Sequence, residues 1–290
     1  MTTFLQTLLL GILGGAVYGL FSAGLSLAFG VLRLVNFAHG DFVMLGMFTA
    51  YAVFSQLHVS IYVAIPIAIV AGGIISVPVY FIFFKGVAQK TVHGQLVIAL
   101  GLSLLVENIV LNVAGSQSRA LNPLSTPTWH AGGLFIPEPQ TYAFIAAVAA
   151  TVLLELLLQR TAAGRVLRAV VADREAAQVL GVRPERAYIW AFALSIALAV
   201  VAGVVLFGYY PVDYMVGQNF ILIGFICVTL GGVGDVRGAF VAGLVVGVSE
   251  SLVGTYWSIT VQDLAAYAVF VLGCLFFPRG ILGRAVGDGT

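Results

Sequence analysis

Nine long apolar runs, separated by polar breaks, fill most of this chain. They fall at roughly 4–30, 39–55, 61–84, 95–113, 141–159, 188–210, 219–234, 239–256 and 262–277. In hydrocarbon, backbone polar groups must pair within a helix or around a closed barrel. A crossing helix needs about 20 apolar residues. These runs are continuous and do not alternate, so barrel strands are excluded. Only 9% of residues are charged and 61% are hydrophobic, against about 25% charged in an average soluble domain. So few charges cannot cover the surface of a soluble globule of 290 residues. A soluble enzyme, a disordered chain and a nucleic-acid binder are therefore excluded. The expected fold is all-α: a polytopic helical membrane protein of about eight to nine transmembrane segments in contact with the bilayer, forming one domain over 1–290. The runs at 39–55 and 219–234 are short for a full crossing and are candidates for half-helices.

The positions of the few charges orient the chain. If the N-terminus lies outside and each run crosses, the inner loops hold Arg33, Lys85, Lys90, Arg160, Arg165, Arg168, Arg174, Arg183, Arg186, Arg237, Arg279 and Arg284. That is 12 of the 13 Lys and Arg, with only Arg119 outside. The positive-inside rule selects this arrangement and places the C-terminus inside. A re-entrant 39–55 would invert the first segment and leave Arg33 outside. No Lys or Arg precedes Arg33, so the first run is expected to be a span and not a cleaved signal.

Motifs for chemistry are missing. The chain has no G-x-x-x-x-G-K-[ST] phosphate loop and no H-E-x-x-H. Its four histidines are scattered, and Cys227 and Cys274 lie apart inside apolar runs. The cysteines are expected to be small core residues. No catalytic residue, cofactor or metal is expected in this chain.

Two loops and one break stand out. The outer loop at 114–140 holds Pro123, Pro127, Pro137 and Pro139, with Arg119 and Trp129. It serves as a connector or as a docking surface. The inner loop at 160–187 holds six arginines. Within it, 173–180 is expected to form a short helix with Asp173 as N-cap, Glu175 in the first turn and Gly181 as the stop. Between the first two runs lies Asn36-Phe37-Ala38-His39-Gly40-Asp41. Asn, His and Asp are expensive in lipid, so they face protein, water or the inner interface. Two readings fit: a tight inner turn, or a broken helix lining a translocation path. Glu107, Asn108 and Glu250 lie within apolar runs and are further path candidates or structural hydrogen-bonding pairs.

Glu175-Ala176-Ala177 followed by Gly181 fits the E-A-A-x-x-x-G pattern of ABC importer permeases, although position 191 is alanine where the longer pattern has isoleucine. The run from Tyr18 to Gly46, with N-F-A-H-G at 36–40, resembles LivH-type permeases of bacterial branched-chain amino acid ABC importers. The segments DREAAQVLGV at 173–182, TLGGVG at 229–234 and PRGILG at 278–283 are also similar to that family. The resemblance implies a permease subunit of an ATP-driven importer for branched-chain or other hydrophobic amino acids, or similar small carboxylates. Related systems carry urea, short amides or aromatic acids. It further implies a second LivM-type permease subunit, two cytoplasmic ATPases that use the ATP and magnesium, and a periplasmic binding protein. Coupling to the ATPases falls to Asp173, Arg174, Glu175, Ala176, Ala177 and Gly181. The path falls to Asn36, His39, Gly40, Asp41, Glu107, Asn108 and Glu250. An ion-coupled secondary transporter and a passive channel remain open on the residues alone.

Overall fold

The computed structural model describes residues 2–86, 92–121, 128–131, 133–277 and 280–281. Each of the nine apolar runs is a helix. In order they are α1 (Thr2–Leu32), α2 (His39–Leu57), α3 (Ala64–Val79), α4 (Val92–Ala114), α5 (Glu138–Arg160), then two short helices α6 (Ala162–Ala172) and α7 (Arg174–Val179), then α8 (Pro184–Leu206), α9 (Val216–Gly231), α10 (Val236–Tyr256) and α11 (Gln262–Phe276). Seven of the described helical stretches are long and apolar enough to cross a membrane. The chain is thus a multi-pass helical membrane protein. α9 is 16 residues long, or about 24 Å, short of the ~30 Å hydrocarbon core.

α1 and α10 form the central pair. Gly11, Gly15 and Gly19 stand on one face of α1 and meet Gly243, Gly247 and Val248 on α10. A Cβ on Gly247 would lie 2.3 Å from Gly15 Cα, and one on Gly15 would lie 2.7 Å from the Gly243 carbonyl oxygen. Small residues four apart let two backbones touch, and in lipid that close packing drives helix association. Two glycines do the same where α2 passes α8: Gly46 abuts Val200 and Gly203 abuts Val43. Phe21, Phe42, Phe192 and Phe207 are fully buried, with Phe207 on Tyr51 of α2 and Phe192 on Tyr80 and Phe84.

Local chemistry explains the irregular pieces. Pro78 lies inside α3, and the chain continues as a π-turn over Tyr80–Phe84, with Lys85 N–H bonded to the Tyr80 carbonyl at 2.8 Å. Proline removes a ladder donor, and a π-turn is a common local adjustment. The loop at 114–140 carries a hairpin, β1 (Thr128–Ala131) against β2 (Leu134–Pro137), with Trp129 opposite Ile136. Pro137 and Pro139 flank the start of α5, a favourable place for proline. Pro123 and Pro127 lie outside the described residues, as do Lys90, Arg279 and Arg284. Cys227 is buried in the core, whereas Cys274 is exposed on α11.

Every described Lys and Arg other than Arg119 lies at one end of the bundle, the basic end. There Lys85 pairs with Glu185 and Arg237 with Glu155, each at 2.7 Å. Asp235 does not pair with Arg237; its carboxylate accepts from the Arg237 and Gly238 amides and caps α10. Arg119 is at the other end, over the Tyr51 ring at 4.6 Å and bridged to Val212. The N-terminal turns of α1 are there too, with Gln6 bonded to the backbone of Phe135 in β2.

Candidate functional site

The break between α1 and α2 is deep in the protein. α1 ends with Arg33 in a left-handed conformation, φ 51°, and the chain turns back. Asn36, His39 and Asp41 are buried, with exposures of 0%, 0% and 1%. The His39 ring packs on Phe21 with centroids 4.9 Å apart, and its Nε2 lies near Gly24. Phe21 and Gly24 are 8–11 residues before Leu32, which places His39 about 12–17 Å inside the basic end of α1. Six non-helical residues can cover that climb. The chain therefore re-enters the bundle and starts α2 near mid-depth. Of the two sequence readings, the broken helix matches this geometry and the tight turn at the surface does not.

A second short helix begins at the same depth. A Cβ on Gly40 would lie 2.1 Å from the Gly217 carbonyl oxygen, and one on Gly217 would lie 2.6 Å from Asp41 Oδ1. The N-terminal turns of α2 and α9 thus cross in contact. α2 runs on toward the Arg119 end and α9 toward the basic end, where the Leu230 carbonyl accepts from the Ile281 amide at 2.7 Å. Paired half-helix starts near mid-depth are a recurrent way to build a polar site in a membrane.

Polar groups gather at this crossing. Ser103 on α4 faces the Asp41 carboxylate, and Glu107 lies close enough for its charge to act on Asp41. Gln218 Nε2 donates to Glu107 Oε1 at 2.8 Å. Asp41 Oδ2, both polar atoms of the Asn36 amide and the hydroxyls of Ser26 and Ser195 have no partner among the described residues. Orphaned buried polar atoms are costly and point to water or ligand. Asn108 is on the outer face of α4 and donates to the Leu104 carbonyl at 2.7 Å. Glu250 on α10 sits apart, buried beside Tyr18, with one carboxylate oxygen unpartnered. The structure thus brings Gly40, Asp41 and Glu107 together and leaves Glu250 elsewhere. Ser103, Gln218 and Gly217 are members that the sequence did not mark, because nothing local distinguishes them from other residues of an apolar helix. Among the described residues, no group of three His, Cys, Asp or Glu could hold a metal ion.

The second candidate region is at the basic end. α6 is amphipathic: Leu167 and Val170 face the protein while Arg165 and Arg168 face out. Thr161 caps it, accepting from the Gly164 amide at 3.1 Å. Asp173 then caps α7, accepting from the amides of Glu175 and Ala176 at 2.9 and 3.0 Å. Gly181 stops α7 with φ 82°, and Pro184 opens α8. The Arg174 guanidinium lies over the Tyr188 ring. Glu175, Ala176 and Gly181 are exposed, but Ala177 is buried against the protein. Two residues outside the pattern dominate the exposed tip: Val179 is 88% exposed and Leu180 83%. Two bare aliphatic side chains on a basic, otherwise polar loop are a signal that sequence reading could have used.

Comparison with known proteins follows the whole chain. The family described as branched-chain amino acid transport system / permease component matches residues 7–277. The high-affinity branched-chain amino acid transport system permease protein LivH of Salmonella typhimurium is 30% identical over 299 residues, covering 97% of this chain and 96% of that protein. The corresponding protein BraD of Pseudomonas aeruginosa is 29% identical over 295 residues, again covering 97% and 96%. Among solved structures, PsaBC from Streptococcus pneumoniae in complex with Fab aligns with a TM-score of 0.50 at 12% identity, covering 95% of this chain and 92% of that chain. That last likeness speaks for the fold alone.

Proposed function

This chain belongs to the branched-chain amino acid transport system permease family, and from that premise we propose that it is the membrane subunit of an ATP-driven importer for branched-chain or other hydrophobic amino acids. It lies in the bacterial inner membrane with its N-terminus outside, so that 114–140 is periplasmic and 160–187 cytoplasmic. It forms the translocation path with a second, related permease. Two cytoplasmic ATPases use the ATP and magnesium, and a periplasmic binding protein delivers substrate. This chain carries no catalytic residue.

The observation that carries the reading is α7 at the basic end. It is capped by Asp173, stopped by Gly181 and ends in exposed Val179 and Leu180. Such a helix offers a rigid, partly apolar knob to a cytoplasmic partner. Asp173, Arg174, Glu175, Ala176 and Gly181 set its shape and charge, and Ala177 anchors it to the rest of the bundle. Movement of the ATPases on ATP binding would shift α7. α6 and α8, which flank it, would pass that shift to the crossing of α2 and α9. Asn36, His39, Gly40, Asp41, Glu107 and Asn108 belong to the path or border it, and Glu250, buried beside Tyr18, holds α10 to α1.

The test is Glu175→Lys in the assembled complex. Glu175 is exposed, so reversing its charge leaves the fold intact and alters only what the loop presents. Stimulation of ATPase activity by the substrate-loaded binding protein is expected to fall at least about tenfold, the effect of losing one charge-assisted contact, with the permease still assembled. Undiminished stimulation would contradict the coupling role.

A further inference from the structure

The outward faces of α3, α5 and α11 are apolar away from their ends, as lipid requires. α4 and α9 differ. Asn108 and Asn112 on α4, and Gln218 and Asn219 at the start of α9, are all exposed. Asn112 Nδ2 donates to the Asn108 carbonyl at 2.7 Å and Asn108 Nδ2 to that of Leu104. Each carboxamide uses only part of its hydrogen-bonding capacity this way and presents the rest outward. Asn108 lies six residues before the end of α4, about 9 Å into the membrane. A row of carboxamides from the end of α4 to the start of α9 is poorly matched to lipid and well matched to water or a polar solute.

Glu107 lies directly behind this rim. It is 6% exposed, and its carboxylate accepts the Gln218 amide at 2.8 Å. Asp41 adds a second carboxylate, 1% exposed, with Oδ2 unpartnered. Among the described residues no Lys or Arg lies at this depth to neutralise the two. The donor to Glu107 is the Gln218 amide, and a neutral amide donates more weakly than an ammonium group.

We propose that the α4–α9 rim is this chain's wall of the water-filled path and that Glu107 binds the ammonium group of a zwitterionic substrate, which takes the place of the Gln218 amide. The inference rests on the importer reading and sharpens its chemistry. The Glu107 carboxylate repels a substrate that carries only a carboxylate, and it gains no ion pair from a neutral amide or urea. The site therefore selects amino acids over simple organic acids within the substrate range such a chain serves.

The test uses the complete importer, with its own second permease, ATPases and binding protein, in proteoliposomes supplied with labelled leucine. Glu107→Gln keeps shape and the bond to Gln218 and removes the charge. Leucine uptake is expected to fall at least about tenfold, with complex assembly retained, and Glu107→Asp to recover part of the uptake. Wild-type uptake by Glu107→Gln would overturn the proposal while leaving the importer reading intact. Failure of the wild-type complex to import leucine would instead strike the importer reading. If Glu107→Gln does not assemble, Asn219→Cys in a Cys274→Ser background decides. Reaction with a charged, membrane-impermeant thiol reagent, slowed by leucine-loaded binding protein, supports the site. A cysteine that never reacts overturns it.

Discussion

Ala177 and Leu180 are three residues apart, and one is buried while the other is 83% exposed. The E-A-A-x-x-x-G pattern marks where this helix lies but not which of its side chains face outward. That depends on where the helix ends: Leu180 is the C-cap, just past the last helical residue, and so leaves the face that Ala177 buries. Small Ala177 is therefore the anchor, and Leu180 is the contact on offer. Replacing Leu180 with Asp is expected to leave thermal stability of the isolated permease within about 0.5 kcal/mol, as for other exposed sites. The same change should weaken its association with the ATPase, which co-purification measures. A large loss of stability would mean that Leu180 packs within this chain. The polar site follows the same logic. Asp41 and Glu107 were visible as carboxylates in apolar runs, but Gln218 meets Glu107 across 111 positions. A sequence cannot display such a pairing without the fold.

At the scale of elements, apolar run length was a sound guide. All nine runs are helices, and the two that were short by count, 39–55 and 219–234, became α2 and α9. Depth was not legible. An apolar run says that a segment is buried, not where along the membrane normal it begins. Only the packing of His39 on Phe21 and of Gly40 on Gly217 shows that α2 and α9 start inside. Helix contacts here depend on glycine, which gives a paired prediction. Gly247→Val forces a side chain into the α1 backbone 2.3 Å away, whereas a Cβ on Gly14 would meet nothing within 4 Å. Gly247→Val is expected to cost at least about 1–3 kcal/mol through overpacking. Gly14→Val should cost a few tenths at most. Thermal unfolding in detergent compares them, and equal melting points would contradict the glycine seam.

For the whole molecule, the asymmetry of charge is the organising fact. Cations crowd one end, where ion pairs between Lys85 and Glu185 and between Arg237 and Glu155 tie distant helices together. The same end carries α7. The polar crossing lies between that end and the Arg119 end, joined to α7 through α8, whose Val200 and Gly203 touch α2. A push on α7 thus has a continuous, tightly packed route to the start of α2. In the proposed importer the basic end would be the docking end, the crossing the mid-membrane site, and the partners would supply the chemistry that drives the motion. The most direct measurement of that division of labour is leucine uptake by the reconstituted complex, with and without ATP, and with and without an imposed ion gradient. Uptake is expected to require both ATP and the binding protein. Uptake without ATP, whether passive or driven by an imposed ion gradient, would contradict it.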